Sequence, residues 1–186
     1  MPELGPVAWP PAPINSERLV LREPEARDRA AFIELYASPQ VHTYLGGPRP
    51  CDELERRMPE KPERRPGLFV IELDGAMIGM VELKRYEADA SAGVRPDAGE
   101  SELGCLLLPR AWGHGYGVEA CAAALDWLAG VRPGEPVVLR TQTANERSMR
   151  LAERLGFTEE GRYEAYGAQQ WLGVRSAHVP SSAPSS

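Results

Sequence analysis

The sequence predicts an α+β fold in which one mixed sheet carries helices on both faces. Three observations point to it. Asp74-Gly75 separates two apolar runs and marks an antiparallel hairpin. An apolar run ending at Leu108 empties into a glycine-rich turn and then directly into an amphipathic helix pattern. The next strand is reached through that helix, so it lies parallel to the run before the turn. A chain of 186 residues has room for one domain with a sizeable core.

The elements follow in order. Residues 1–16 hold five prolines and few periodic apolar positions, and are expected to form an irregular arm laid on the surface. The folded domain is expected over 17–177, with 178–186 as a flexible tail of serine and proline. Residues 18–23 read as the first strand. A helix over 26–37 places Phe32, Leu35 and Tyr36 on one face. Within the proline- and glycine-rich stretch 38–66, residues 52–58 read as a short helix with Asp52 as N-cap. Residues 67–73 and 77–85 are the two arms of the Asp74-Gly75 hairpin, and 87–100 form a loop. Residues 101–108 are the strand that feeds the glycine turn. The helix beyond it is expected to bury Val118, Cys121, Ala122, Leu125 and Leu128. Residues 136–141 are the parallel strand. Residues 145–155 are a helix stopped by Gly156 at its C′ position. Strands over 160–166 and 169–176 close the chain around Gly167-Ala168.

Composition excludes several classes. A net charge of −6 argues against nucleic acid as a partner and is compatible with a cationic substrate such as an amine. No apolar run approaches the roughly 20 residues that cross a bilayer, and no secretory leader pattern opens the chain. Cys51, Cys105 and Cys121 are an odd number without a metal spacing, so no metal site and a reducing cytoplasm are expected. Cys105 and Cys121 sit in apolar patterns and read as buried thiols.

The segment from Leu106 to Ala120 is the most informative. A strand that ends in glycines at a helix start presents several unpaired backbone N–H groups to one small volume. With the helix dipole they make a phosphate site. Gly113, Gly115 and Gly117 give G-x-G-x-G. A dinucleotide fingerprint needs its third glycine one residue later, and a P-loop needs a lysine that this sequence lacks. The alternative is a helix entry with glycines kept for tight packing. The pattern that fits is Arg110-x-x-Gly113-x-Gly115, which resembles the pyrophosphate loop of the GNAT superfamily of N-acetyltransferases, users of acetyl-coenzyme A. A second motif runs from Thr143 to Phe157, with Asn145-x-x-Ser148 followed by Leu155-Gly156-Phe157. Together with Trp112-Gly-x-Gly-Tyr116 and the Arg18-Leu-x-Leu-Arg22 opening, it resembles the RimJ/RimL-like branch of that superfamily.

The resemblance covers most of the chain and carries expectations. It implies a GNAT-like, mostly antiparallel twisted sheet of about six or seven strands, with the central parallel pair splayed to hold the pantetheine arm. Backbone groups of Leu106, Leu107 and Leu108 would pair with that arm, one N–H serving as oxyanion donor. Arg110, Gly113, His114, Gly115, Tyr116 and Gly117 would surround the diphosphate, Arg110 having a surface role as its alternative. Asn145 would contact the cofactor, with helix capping as the competing reading. Ser148 falls on the inward stripe with Leu151, Ala152 and Leu155, and would lie near the thioester sulfur.

Transfer of an acetyl group to an amine needs a deprotonated nucleophile, a held oxyanion and a protonated leaving thiolate. It needs no metal and no covalent intermediate. Glu102, upstream on the strand that feeds the loop, is the candidate base, Glu100 the alternate, and an exposed strand-end carboxylate the competing reading. Glu119, in the first turn of the helix, is expected to complement its dipole. The acceptor is expected between residues 40–58, the loop 85–100 and the last hairpin, walled by Tyr44, Tyr86, Tyr163, Tyr166 and Trp171. It is a small-molecule or peptide amine: a protein N-terminus, a polyamine, an amino sugar or an antibiotic. A homodimer is implied by analogy only. The rival classes are a non-catalytic acyl-CoA-binding regulatory module and a phosphotransferase. The latter lacks the Walker lysine and clustered carboxylates.

Overall fold

The computed structural model describes residues 3–87 and 101–176. Their strands form one eight-stranded sheet in the order β1-β2-β3-β4-β5-β6-β8-β7. The strands are β1 (Ile14–Asn15), β2 (Val20–Arg22), β3 (Leu68–Leu73), β4 (Ala76–Arg85), β5 (Ser101–Leu107), β6 (Val137–Gln142), β7 (Thr158–Ala165) and β8 (Ala168–Arg175). The helices are α1 (Arg29–Ala37), α2 (Cys51–Arg57), α3 (Tyr116–Val131) and α4 (Glu146–Arg154). Neighbouring strands are antiparallel except β5 and β6. This is the expected α+β architecture with one parallel pair.

Alternation along the strands separates two cores. Phe69, Ile71, Val81, Leu83 and Leu103 pack with Cys121, Leu125 and Leu128 of α3 and Ala152 of α4. Leu68, Val70 and Met80 pack on the other face with Phe32 and Leu35 of α1. Arg22, the last residue of the Arg18-Leu-x-Leu-Arg22 opening, reaches the residue before α1. Its guanidinium forks onto Asp28 at 2.7 and 2.9 Å and also meets Glu72. Burial would raise the Asp28 carboxyl, but the fork from Arg22 and the amide of Glu25 outweigh it and hold Asp28 below its ordinary value.

The structure corrects several expectations. The arm before β1 is irregular, yet it belongs to the core. Leu4 is fully buried, and the Trp9 ring stands edge-on to Phe69 at 5.0 Å and Trp127 at 5.7 Å. Prolines deny the arm a repeating backbone, but its apolar side chains are still driven out of water, with about 1.5–3 kcal/mol for a fully buried leucine. The two-residue β1 is the eighth strand. Asp52 is not an N-cap: α2 begins at Cys51 after Pro50, with no side-chain cap. The buried stripe of α3 is Ala120, Cys121, Ala124, Leu125 and Leu128; Val118 and Ala122 are half-buried beside it. The Asp74-Gly75 hairpin forms as expected, both residues having positive φ (49° and 82°). The last hairpin turns at Tyr166-Gly167, and Ala168 already belongs to β8.

One irregularity positions the site. Among the described residues β5 and β6 pair only at Ser101↔Val137 and Glu102↔Val138. Beyond that point β5 continues to Leu107 and β6 to Gln142, each paired only with its outer neighbour. The parallel pair is splayed.

Candidate active site

The splay opens a cavity of about 680 Å³. Its walls are residues 103–107 of β5, residues 139–142 of β6, the glycine turn and the inner side of α4. On the far face of the sheet it reaches Tyr44, Met80 and Glu82.

Strand parity decides which backbone groups of β5 face the gap. The Leu108 amide donates to the Ile78 carbonyl at 2.9 Å, and the β4–β5 register is regular. By alternation Leu106 and Gly104 also turn their backbone groups to β4, while Leu103, Cys105 and Leu107 turn theirs to the gap. Of Leu106, Leu107 and Leu108, only Leu107 therefore faces the gap, and its carbonyl accepts the Trp112 indole N–H at 3.0 Å. Leu108 is fully buried. One of the three expected residues keeps its backbone groups open and two do not, because parity depends on where β4 docks.

The glycine turn is built as a donor nest. Gly113 and Gly115 have φ of 81° and 79°, a region open to glycine at little cost. Gly115 caps α3 without a side-chain acceptor, and the first intrahelical bond is Glu119 N–H to Gly115. The amides of Tyr116, Gly117 and Val118 therefore have no acceptor within the helix, and all three residues line the cavity. His114 and Arg110 do not line it. Arg110 is half-exposed and pairs with Glu34 at 2.7 Å over a separate shallow hollow.

The chain leading into β2 holds this turn from behind. Arg18 donates to the His114 carbonyl at 3.0 Å and to Glu119 at 2.7 Å, and lies over the Tyr116 ring at 4.6 Å. Glu119 also accepts from Ser16 Oγ at 2.7 Å and from the Arg18 amide at 2.6 Å. Burial would raise the Glu119 carboxyl, but these hydrogen bonds outweigh it and hold it below its ordinary value. A lowered folded-state value adds stability above the ordinary value, and that stability is lost as pH falls through the lowered one. Glu119→Gln is expected to flatten the fall in unfolding free energy below about pH 4.5. Urea titrations across pH 2–6 measure it, and an acid limb identical to wild type refutes the latch.

Asn145 is the N-cap of α4, its Oδ1 accepting the Ser148 amide at 3.2 Å. Both residues line the cavity. Gly156 (φ 82°) ends the helix, and Phe157 N–H returns to Ala152 O at 3.0 Å. The cavity side of α4 also carries Arg147, Arg150 and Arg154. Arg147 lies over the Trp112 ring at 3.7 Å.

On the opposite face, Glu102 is not placed to act as a base. Both its oxygens are held by Arg140, at 2.8 and 2.9 Å, and it does not line the cavity. Burial alone would lower the Arg140 guanidinium; the Glu102 fork more than offsets it and keeps Arg140 firmly charged. Glu82, unnoticed in the sequence, lines the cavity beside Gly104. Arg65 donates twice to Glu82 Oε1, at 3.0 and 2.6 Å, and Oε2 takes no part in those two bonds. The signal was a lone acid two positions after Met80 in an apolar strand.

Of the expected aromatic walls only Tyr44 lines the cavity, its carbonyl accepting Gln142 Nε2 at 3.1 Å. Tyr86 and Tyr163 flank Arg140 instead, the first with its ring at 4.9 Å. Tyr166 is exposed at the hairpin tip. Trp171 is a core residue that donates to Glu159 at 3.0 Å. Its ring covers Gly173, where a Cβ would sit 2.0 Å away. Glu100 and the loop 88–100 lie outside the described residues.

Cys105 is half-buried and lines the cavity. Its hydrogen bond to Cys121, together with burial, pushes the Cys121 thiol well up, which is no condition for a nucleophile. Among the described residues no group of His, Cys, Asp and Glu gathers to hold a metal ion, and no helix is long and apolar enough to cross a membrane.

The family model for the Acetyltransferase (GNAT) domain matches residues 18–158. Fold and family together define an acyltransferase. The chain belongs to the GNAT acetyltransferase family. The uncharacterized protein YkkB of Bacillus subtilis is 29% identical over 147 residues, 76% of this chain and 82% of that protein. The GNAT-family acetyltransferase of Bacillus anthracis superposes with a TM-score of 0.69 at 18% identity, over 89% of this chain and 98% of that one. Aminoglycoside acetyltransferase AAC(6')-Ib in complex with coenzyme A superposes at 0.66 and 18% identity, over 85% and 94%. At these identities the structural likeness shows the fold.

Proposed function

We propose that this chain moves an acetyl group from acetyl-CoA to a primary amine by direct attack within a ternary complex. The observation that carries the reading is that the strand splay and the amide nest open into one cavity. In this scheme the amides of residues 113–118 hold the diphosphate. The gap-facing edge of β5, at Leu103, Cys105 and Leu107, pairs with the pantetheine arm, and one of its N–H groups holds the oxyanion. Ser148 and Asn145 stand where α4 meets the acyl end. The Ser148 hydroxyl relays to the departing thiolate the proton that the nitrogen of the tetrahedral adduct sheds as the C–S bond breaks, so the serine ends neutral and coenzyme A leaves as the thiol.

The acceptor enters from the α1–α2 side. A lysine-like ammonium, with a pKa of about 10.4, has no lone pair to attack with. Glu82 Oε2 takes its proton, directly or through a water. Glu102 serves as the positioning partner of Arg140. The scheme uses no metal. We place the protein in the cytoplasm and in the RimJ/RimL-like branch, on the strength of its thiols and of the motifs at 18–22, 112–116 and 145–157.

The test is thiol release from acetyl-CoA in the presence of N-terminal peptides, polyamines or aminoglycosides. The expected result is release that depends on one of these amine classes. Calorimetric binding of acetyl-CoA without turnover on any amine would favour the regulatory module. No heat with acetyl-CoA would sink both readings.

A further inference from the structure

We infer that the arginine face of α4, formed by Arg147, Arg150 and Arg154, is the seat of the ribose 3′-phosphate of coenzyme A. The inference rests on the cofactor reading above and adds a specificity to it. The three residues stand at i, i+3 and i+7, so they share one side of the helix, and all three line the cavity. They span roughly 10 Å of helix, enough for more than one anionic group.

Among the described residues little of their charge is spent. In a chain of net charge −6, guanidinium groups elsewhere close on carboxylates, as in Arg22–Asp28, Arg65–Glu82, Arg132–Glu135 and Arg140–Glu102. On this face Arg147 rests on the Trp112 ring, and Arg154 meets no carboxylate among the described residues. Arg150 reaches Glu146 only at 3.4 Å, both side chains being more than 60% exposed. Such a pair contributes little.

The cavity thus has two separate demands for negative charge. Main-chain amides at the start of α3 suit the diphosphate. The α4 arginines suit a compact dianion with several acceptor oxygens, which guanidinium forks bind well. Coenzyme A carries one phosphate monoester besides its diphosphate, on the ribose. Arg147, docked on Trp112 at the edge of the glycine turn, sets the near end of this seat; Arg150 and Arg154 extend it along the helix.

The experiment is isothermal titration of the full chain with coenzyme A and with dephospho-coenzyme A, which lacks only that phosphate. The wild type is expected to bind coenzyme A at least about tenfold more tightly. In the double variant R150Q/R154Q the two affinities should converge, because coenzyme A weakens while dephospho-coenzyme A stays as it was. Both positions are exposed, and unchanged dephospho-coenzyme A binding reports that the site is intact. Equal wild-type affinities, or a ratio preserved in the double variant, overturn the inference and leave the cofactor reading standing. A wild type that binds neither ligand overturns both.

Discussion

Gly115→Val is expected to weaken acetyl-CoA binding by about a hundredfold or more while the fold persists. Gly115 adopts φ 79° as the cap of α3, a conformation that costs an L-residue about 1–2 kcal/mol and suits a β-branched one least. Relaxing that strain turns the peptides on either side and takes their N–H groups out of the nest. A Cβ at this position already sits 3.6 Å from the Arg18 guanidinium, and the valine methyls reach further, against the residue that holds the His114 carbonyl. Two charge-assisted amide bonds at about 1.5–3 kcal/mol each account for the loss. Gly115 is exposed and outside both cores, so the melting temperature should fall by only a few degrees, about what the strain alone predicts. Titration calorimetry and thermal melts measure the two effects. Near-normal affinity in this variant would mean that the turn does not hold the diphosphate.

The second large effect separates two carboxylates on one face of the sheet. Glu82→Gln is expected to lower kcat by about a hundredfold or more, the usual scale for loss of a positioned base. KM for acetyl-CoA should stay near wild type, because Glu82 faces the acceptor end. Glu102→Gln should act on stability first. It leaves the charged Arg140 beside a neutral amide where the pair is mostly buried, with side-chain exposures of 26% and 10%. Breaking such a pair costs on the order of 3 kcal/mol. Urea unfolding and thiol-release kinetics on both variants decide the matter. A stable Glu102 variant that loses turnover, beside a Glu82 variant that keeps it, would return the base to Glu102.

What was legible in the sequence follows the range of the interactions. The glycine turn, the Asn145 cap, the Gly156 stop and the Asp74-Gly75 hairpin were readable because each is settled within a few residues by backbone conformation and local hydrogen bonds. The clamp of Arg18 on His114 and Glu119 was not readable, since it joins segments about a hundred residues apart. The burial of Leu4 and Trp9 was hidden for a related reason. Non-periodic apolar residues between prolines carry no pattern, although the solvent drives them inward as strongly as any others. The arginine spacing on α4 was present in the sequence, but only the cavity beside it shows which way that face looks.

Local periodicity, turn chemistry and the order of elements were enough to set the α+β architecture, the parallel pair and the donor loop of this acyltransferase. Three things waited on the folded chain: which backbone edge of β5 opens to the gap, which acid has both its oxygens tied to an arginine, and which aromatics line the cavity. Each depends on register between strands distant in the chain. A shift of one residue exchanges the faces of a strand and the direction of its amides, and only packing of the whole sheet selects one register over the next.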